Sequence, residues 1–308
     1  MKKNNFESIF PLDAARSAGV ERLAGIFSAR SVIERRAEVL ARHLVYLSAC
    51  PGVSRGRLNR QEKAFFESFL PLAELALTGI AGMQRKLPGS EVKAVKFYLR
   101  EQLRANELDR CLELVQYGMS GREVESISHA LMLSDAAGVV LYPLLCSVKT
   151  ALSESSVLSD SAPHLPNQFA VLLNDFCGHT IPVRLEGDVS KDGKLAKGFI
   201  TSLNRGRKFK LASHGRHNSR GHLFSTLAGL NSLLAAVAPK VLESEVCAEA
   251  VFNLSVSNAL LAAITAAEGA QERYCRAALR NYGTALAYCA AALDLLAAAD
   301  GQGQPHQH

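Results

Sequence analysis

The sequence predicts a mainly α-helical, bundle-like protein with a small antiparallel β hairpin or meander inserted at about residues 178–213. Three observations lead to this fold class. Apolar residues recur at intervals of three and four over most of the chain, as in amphipathic helices. One stretch near the middle alternates polar and apolar residues instead, which is typical of strands. Aromatic residues make up only 6% of the chain and Trp is absent, so the core must be mainly aliphatic.

Helical spacing accounts for most of the first half of the chain. Ser120 and Glu123 form the S-x-x-E pattern of a capping box, which predicts the start of a helix. That helix is expected to kink or end at Pro143, because proline lacks the amide hydrogen that a helix interior needs. The other helical segments of this half are predicted at about 15–49, 61–83 and 90–116.

The β insert is predicted from three short segments. Thr180–Glu186 alternates apolar and polar residues, and Phe199–Leu203 and Lys208–Leu211 are further strand candidates. Asp192-Gly193 has the composition of a tight turn. Since two or three strands are unstable alone, they must pack on helices.

A serine-rich stretch at 153–161, followed by two prolines, is the best place for a domain boundary. We therefore divide the chain into an N-terminal helical region and a second region that holds the β insert and the alanine-rich C-terminal helices. The pattern is also compatible with one core shared by both. The predicted segments are the N-terminal region 1–152, the linker 153–166, the second region 167–300 and a disordered tail 301–308.

Positive charge is concentrated in one part of the chain. The formal net charge is only +6, yet residues 193–242 contain no acidic residue. Arginine side chains bind phosphate oxygens with two parallel hydrogen bonds, and a following helix N-terminus would add amide donors. The predicted anion-binding residues are Arg205, Arg207, Lys208, Lys210, His214, Arg216, His217 and Arg220. A secondary basic loop consists of Arg55, Arg57 and Arg60.

This charge distribution predicts a non-enzymatic binding protein that uses the basic insert, residues 204–220, to bind nucleic acid (DNA or RNA) or another polyanion. A solvated basic loop is the simpler interpretation of the same residues. Only Phe209 is available for base stacking in the insert, so sequence-specific recognition of single strands is weakly supported.

Two other functions are compatible with the sequence. The first is a delivered effector or conditional membrane-active protein that uses an alanine-rich hairpin at about 223–299. Residues 221–239 and 250–267 carry no formal charge, but their Ser, Thr and Asn residues favour a buried hairpin over membrane insertion. The second is an enzyme acting on a phosphorylated substrate, for which the sequence identifies no catalytic residue and leaves His214, His217 and His222 as the first to test.

Histidine and cysteine patterns predict no metal or cofactor. The spacing of Cys177 and His179 with the three later histidines matches no known metal template. His43 and His129 with Asp135 resemble the ligand types of helical phosphohydrolases, but the chain has no His-Asp dipeptide. Seven cysteines without C-x-x-C spacing indicate reduced thiols, and no secretory signal follows the N-terminus. We therefore expect a cytoplasmic protein, with possible self-association through its alanine-rich helices.

Overall fold

The computed structural model is mainly α-helical, which confirms the predicted fold class at that level. The helices of the first half are α1 (Ala18–Phe27), α2 (Ala29–Ala49), α3 (Arg60–Ser68), α4 (Glu74–Lys86), α5 (Glu91–Ala105), α6 (Gly121–Asp135) and α7 (Tyr142–Glu154). The later elements are α8 (Ser156–Ser161), α9 (Leu165–Gly178), β1 (Ile181–Val183), α10 (Gly193–Leu203), β2 (Leu211–Ser213), α11 (Gly221–Val241), α12 (Ser244–Glu268) and α13 (Tyr282–Ala298). The structure describes residues 17–51, 53, 57–68, 70–86, 91–115, 117–183, 185, 193–213, 220–268 and 281–298.

The C-terminal helices pack as a bundle, with α12 against both α11 and α13. Helix α1 packs on α13, and α2 packs on α5 and α6. Polar side chains inside the bundle pair between helices. Asn231 of α11 donates to the Ser257 hydroxyl at 3.1 Å and to the Asn258 carbonyl oxygen at 3.0 Å. The Cys289 thiol of α13 in turn donates to the carbonyl oxygen of Asn231. These contacts give the polar side chains between the three helices hydrogen-bond partners.

The predicted antiparallel hairpin is wrong. Strands β1 and β2 are parallel, with Ile181 opposite Leu211, and helix α10 connects them. The segment 199–203, predicted as a strand, lies in this helix. Its Phe199 and Ile200 follow Ala196 at intervals of three and four, and all three are buried on one helical face. The five residues 199–203 alone are too few to reveal this helical spacing, which becomes visible only with Ala196.

Helix α6 begins at the predicted capping box. The Ser120 hydroxyl accepts from the Glu123 amide at 3.2 Å, and the Glu123 carboxylate accepts from the Ser120 amide at 2.7 Å. The helical segment does not end at Pro143, because a π-helical turn at Ala136–Leu141 leads directly into α7, and a kink at this residue stays a prediction. Proline is tolerated there because it occupies the first turn of α7, where its missing amide hydrogen costs little.

One cluster of buried apolar side chains contains residues from α1 through α13. The predicted linker contributes to it, since Leu158 of α8 is fully buried. The division of the chain into two regions stays a prediction. For the site, the important consequence is that α6 packs against α2 and against both strands.

Candidate functional site

Three cations of the basic insert make contacts within the protein. Arg207 forms an ion pair with Asp135 of α6, and its Nε donates to the Leu203 carbonyl at 3.1 Å. The Lys208 ammonium lies 3.2 Å from the centre of the Tyr142 ring. Lys210 donates to the carbonyl of Asn204 at 3.1 Å. These contacts hold the insert against α6 and α7.

The remaining residues of the predicted anion site fall into three groups. Arg205 is exposed, as are Arg57 and Arg60 of the secondary loop. Arg220 donates to Ser126 of α6, with its Nη2 3.2 Å from the carbonyl oxygen. Four predicted residues lie outside the described part of the chain: Arg55, His214, Arg216 and His217. The predicted role of the whole set in anion binding stays a prediction.

Asp135 is the carboxylate that sequence analysis did not connect with the insert. It accepts from Arg35 of α2 at 2.7 Å and also pairs with Arg207. All three side chains are at most about a fifth exposed, so the network is half-buried. The absence of acids in residues 193–242 suggested an unbalanced charge. The counter-charge comes from a helix that is distant in sequence.

A second polar group lies between α2, α6 and the start of α11, and we call it the arginine–histidine cluster: Arg36, His129 and Arg220. Arg36 is only 5% exposed, and its Nη1 lies 2.5 Å from a carboxylate oxygen of Glu91. His129 is one turn beyond Ser126, to which Arg220 donates. Helix α11 starts directly after Arg220, and no side chain of the described residues caps it there.

Two buried nitrogen atoms of this cluster have no hydrogen-bond partner among the described residues: Arg36 Nε and His129 Nδ1. Burial lowers the pKa of His129 to about 3, and the charges of Arg220 and Arg36 lower it further in the same direction. The ring is therefore neutral at pH 7. An unsatisfied buried donor costs about 1–3 kcal/mol, so two in one place need an explanation.

A third polar group, formed by α2, α5 and α6, contains His43, Lys96 and Glu123. Burial lowers the pKa of His43 to about 4, against the raising effect of Glu123, while Lys96 lowers it further. His43 packs edge-on against Phe199 of α10, with ring centres 5.0 Å apart. Burial also lowers the pKa of Lys96, whose ammonium donates to the Met119 carbonyl at 3.0 Å. Perturbed acid–base groups of this kind concentrate at functional sites.

His179, considered above as a metal ligand, has a different contact. Its Nε2 lies 2.9 Å from the Thr226 hydroxyl, which donates to Asp175 at 2.9 Å. No three His, Cys, Asp or Glu side chains stand together as a possible metal site in the ranges that the structure describes. The hydrogen bonds of Thr226 with His179 and Asp175 join the end of α9 to α11.

Within the described ranges, three helical segments are long and apolar enough to cross a membrane by length and composition: Gly121–Glu154, Gly221–Val241 and Ser244–Ala267. More than half of the first two windows is buried inside the protein, against a third of the last. The last segment is α12, whose Phe252 is 60% exposed. The apolar residues of the first two segments are thus largely explained by their packing inside the protein.

Comparison with known proteins gives partial similarity to one kind of enzyme. The chain is 26% identical to adenylosuccinate lyase of Haemophilus influenzae over 145 residues, which are 46% of this chain and 32% of that enzyme. It is 27% identical to adenylosuccinate lyase of Escherichia coli K12 over 150 residues, again 46% and 32%. For the Vibrio cholerae enzyme the identity is 25% over 158 residues, 49% and 34%. No family model matches.

The alignments span about a third of the length of these curated relatives. All three are lyases, and none is named as a nucleic-acid-binding protein. The prediction of a non-enzymatic protein that binds DNA or RNA is therefore wrong. It rested on charge density in one segment, and the described cations of that segment are largely engaged in contacts with α6, α7 and their own loop. The alternative of an enzyme is favoured instead.

Proposed function

We propose that this chain is a lyase-type enzyme whose substrate is an anionic molecule of the adenylosuccinate kind. The observation that carries the proposal is the similarity to three adenylosuccinate lyases over 46–49% of the chain. The alternative of an enzyme acting on a phosphorylated substrate, reached from the sequence, is in the same class. The reaction type in this proposal comes from the three adenylosuccinate lyases. The acid and base groups come from the polar side chains between the helices of this chain.

A lyase breaks a bond by elimination, which requires one group to remove a proton and another to protonate the leaving group. We place this acid–base chemistry at His43, Lys96 and Glu123. Lys96 is partly exposed, and its lowered pKa makes proton exchange near neutral pH easier than for an ordinary lysine. The charge of Glu123 of α6 opposes this lowering, and Lys96 in turn lowers the pKa of His43 of α2.

The test is consumption of adenylosuccinate by the full chain, followed by chromatography over many turnovers. The Lys96→Gln variant is expected to lower kcat/KM by about 100-fold or more, the usual contribution of one acid–base group. Lys93→Gln, an exposed position on the same helix, is the matched control and should retain activity.

Circular dichroism and thermal melting of both variants establish that they are folded. Equal activity in the two variants would remove Lys96 from the proposed chemistry. Absence of any turnover by the unaltered protein would overturn the proposal of a lyase.

A further inference from the structure

We propose that the arginine–histidine cluster, formed by Arg36, His129 and Arg220, is a binding site for one oxyanion, namely a phosphate or carboxylate group of a small molecule. The inference stands on the contacts of these side chains and does not require that the protein be an active lyase. It assigns a ligand class to a place that differs from the predicted basic insert, with Arg220 as the one residue common to both.

The arginine–histidine cluster has hydrogen-bond donors available to a ligand. Arg36 Nε always carries a hydrogen, and it is buried without an acceptor among the described residues. His129 Nδ1 is also buried without a partner, and as a neutral ring it can carry its hydrogen on that atom. An oxyanion placed between these two side chains would accept from both. Charge-assisted bonds of this kind are stronger than neutral ones.

The charge around His129 is positive. The guanidinium groups of Arg36 and Arg220 both lower the pKa of His129, as nearby positive charges do. Arg36 forms an ion pair with Glu91, whose side chain is 41% exposed. The two arginines that act on the ring belong to α2 and to the start of α11. A buried field of this sign favours an anion over a neutral ligand.

The backbone adds a third contribution. Helix α11 begins at Gly221, directly after Arg220, so its positive N-terminal end lies next to the cluster. A helix N-terminus alone would not indicate a ligand. Here it coincides with an arginine that is only 5% exposed and has an unpartnered nitrogen.

Calorimetric titration of the full chain with inorganic phosphate, and separately with succinate, tests the site at constant ionic strength. We expect saturable one-to-one binding of at least one of them, and the tighter of the two identifies phosphate or carboxylate as the group that is bound. The Arg36→Met variant should weaken binding at least about tenfold. The Arg42→Met variant is the matched control, because Arg42 is on the same helix and half-exposed.

A second pair of variants keeps the test decisive if Arg36→Met does not fold. Arg220→Met should weaken binding in the same way, whereas Lys240→Met, at an exposed position near the far end of α11, should leave it unchanged. In NMR spectra, ring signals of His129 should shift on titration. No saturable binding of either anion, or equal binding in Arg36→Met and Arg42→Met, would overturn the inference. Anion binding without turnover of adenylosuccinate would leave it intact and contradict only the proposed lyase activity.

Discussion

The basic insert and the arginine–histidine cluster show opposite relations between sequence and charge. The insert is dense in positive residues, yet Arg207 and Lys208 contact Asp135 and Tyr142 within the protein. Arg36 lies in a helix with charges of both signs, yet it is buried and retains an unpartnered nitrogen. Local charge density thus indicates where cations are, while the fold decides which of them remain available to a ligand.

The largest expected effect concerns the buried histidines. The pKa values of His43 and His129 in the folded protein are about 4 and about 3, below the ordinary 6.5. The unfolded chain takes up these protons first, so stability is fully present above pH 6.5 and is lost as the pH falls. Between pH 6.5 and 5 the loss should be about 1.5 kcal/mol per histidine, or about 3 kcal/mol together.

Urea unfolding at a series of pH values measures this loss. The double variant His43→Gln and His129→Gln should flatten the profile over the same range. A free energy of unfolding that is constant from pH 6.5 to 5 in the unaltered protein would show that the two rings are not buried as described.

An intermediate effect is expected at Asp135. The Asp135→Asn variant leaves Arg35 and Arg207 half-buried without their shared carboxylate. The loss of stability should be about 2–3 kcal/mol, somewhat below the value for a fully buried pair. Glu101→Gln, which breaks the exposed pair with Arg104, should cost less than about 1 kcal/mol. Equal losses in the two variants, measured by urea unfolding, would contradict the role of Asp135 in holding the insert.

The smallest effect is expected at Lys208. Replacing it by Met removes the contact of the ammonium with the Tyr142 ring while keeping most of the aliphatic side chain. The expected loss is about 0.5–1 kcal/mol, the usual size of an exposed cation–π contact. Thermal melting measures this loss of stability in Lys208→Met, with Arg205→Met as the control. A larger loss for Arg205→Met would contradict the assignment of Lys208 as the anchored residue.

The helices are predictable from the sequence because their apolar residues recur every three or four positions. The capping box of Ser120 and Glu123 is likewise a short local pattern. The parallel pairing of Ile181 with Leu211 was missed, since that contact joins segments separated by a whole helix. His43 and His129 were noticed as residue types, but their burial depends on how α2 and α6 pack.

Arg36 was not singled out, because no sequence pattern distinguishes it from Arg35 beside it. In the fold, Arg35 pairs with Asp135 while Arg36 turns into the core and pairs with Glu91. Self-association through the alanine-rich helices and a cytoplasmic location stay predictions.

The most direct test of the proposed lyase activity is the amount of adenylosuccinate consumed per molecule of the unaltered full chain. The account predicts many turnovers per protein, with a strong reduction in Lys96→Gln and none in Lys93→Gln. Adenylosuccinate that remains unchanged after long incubation with folded protein would contradict it.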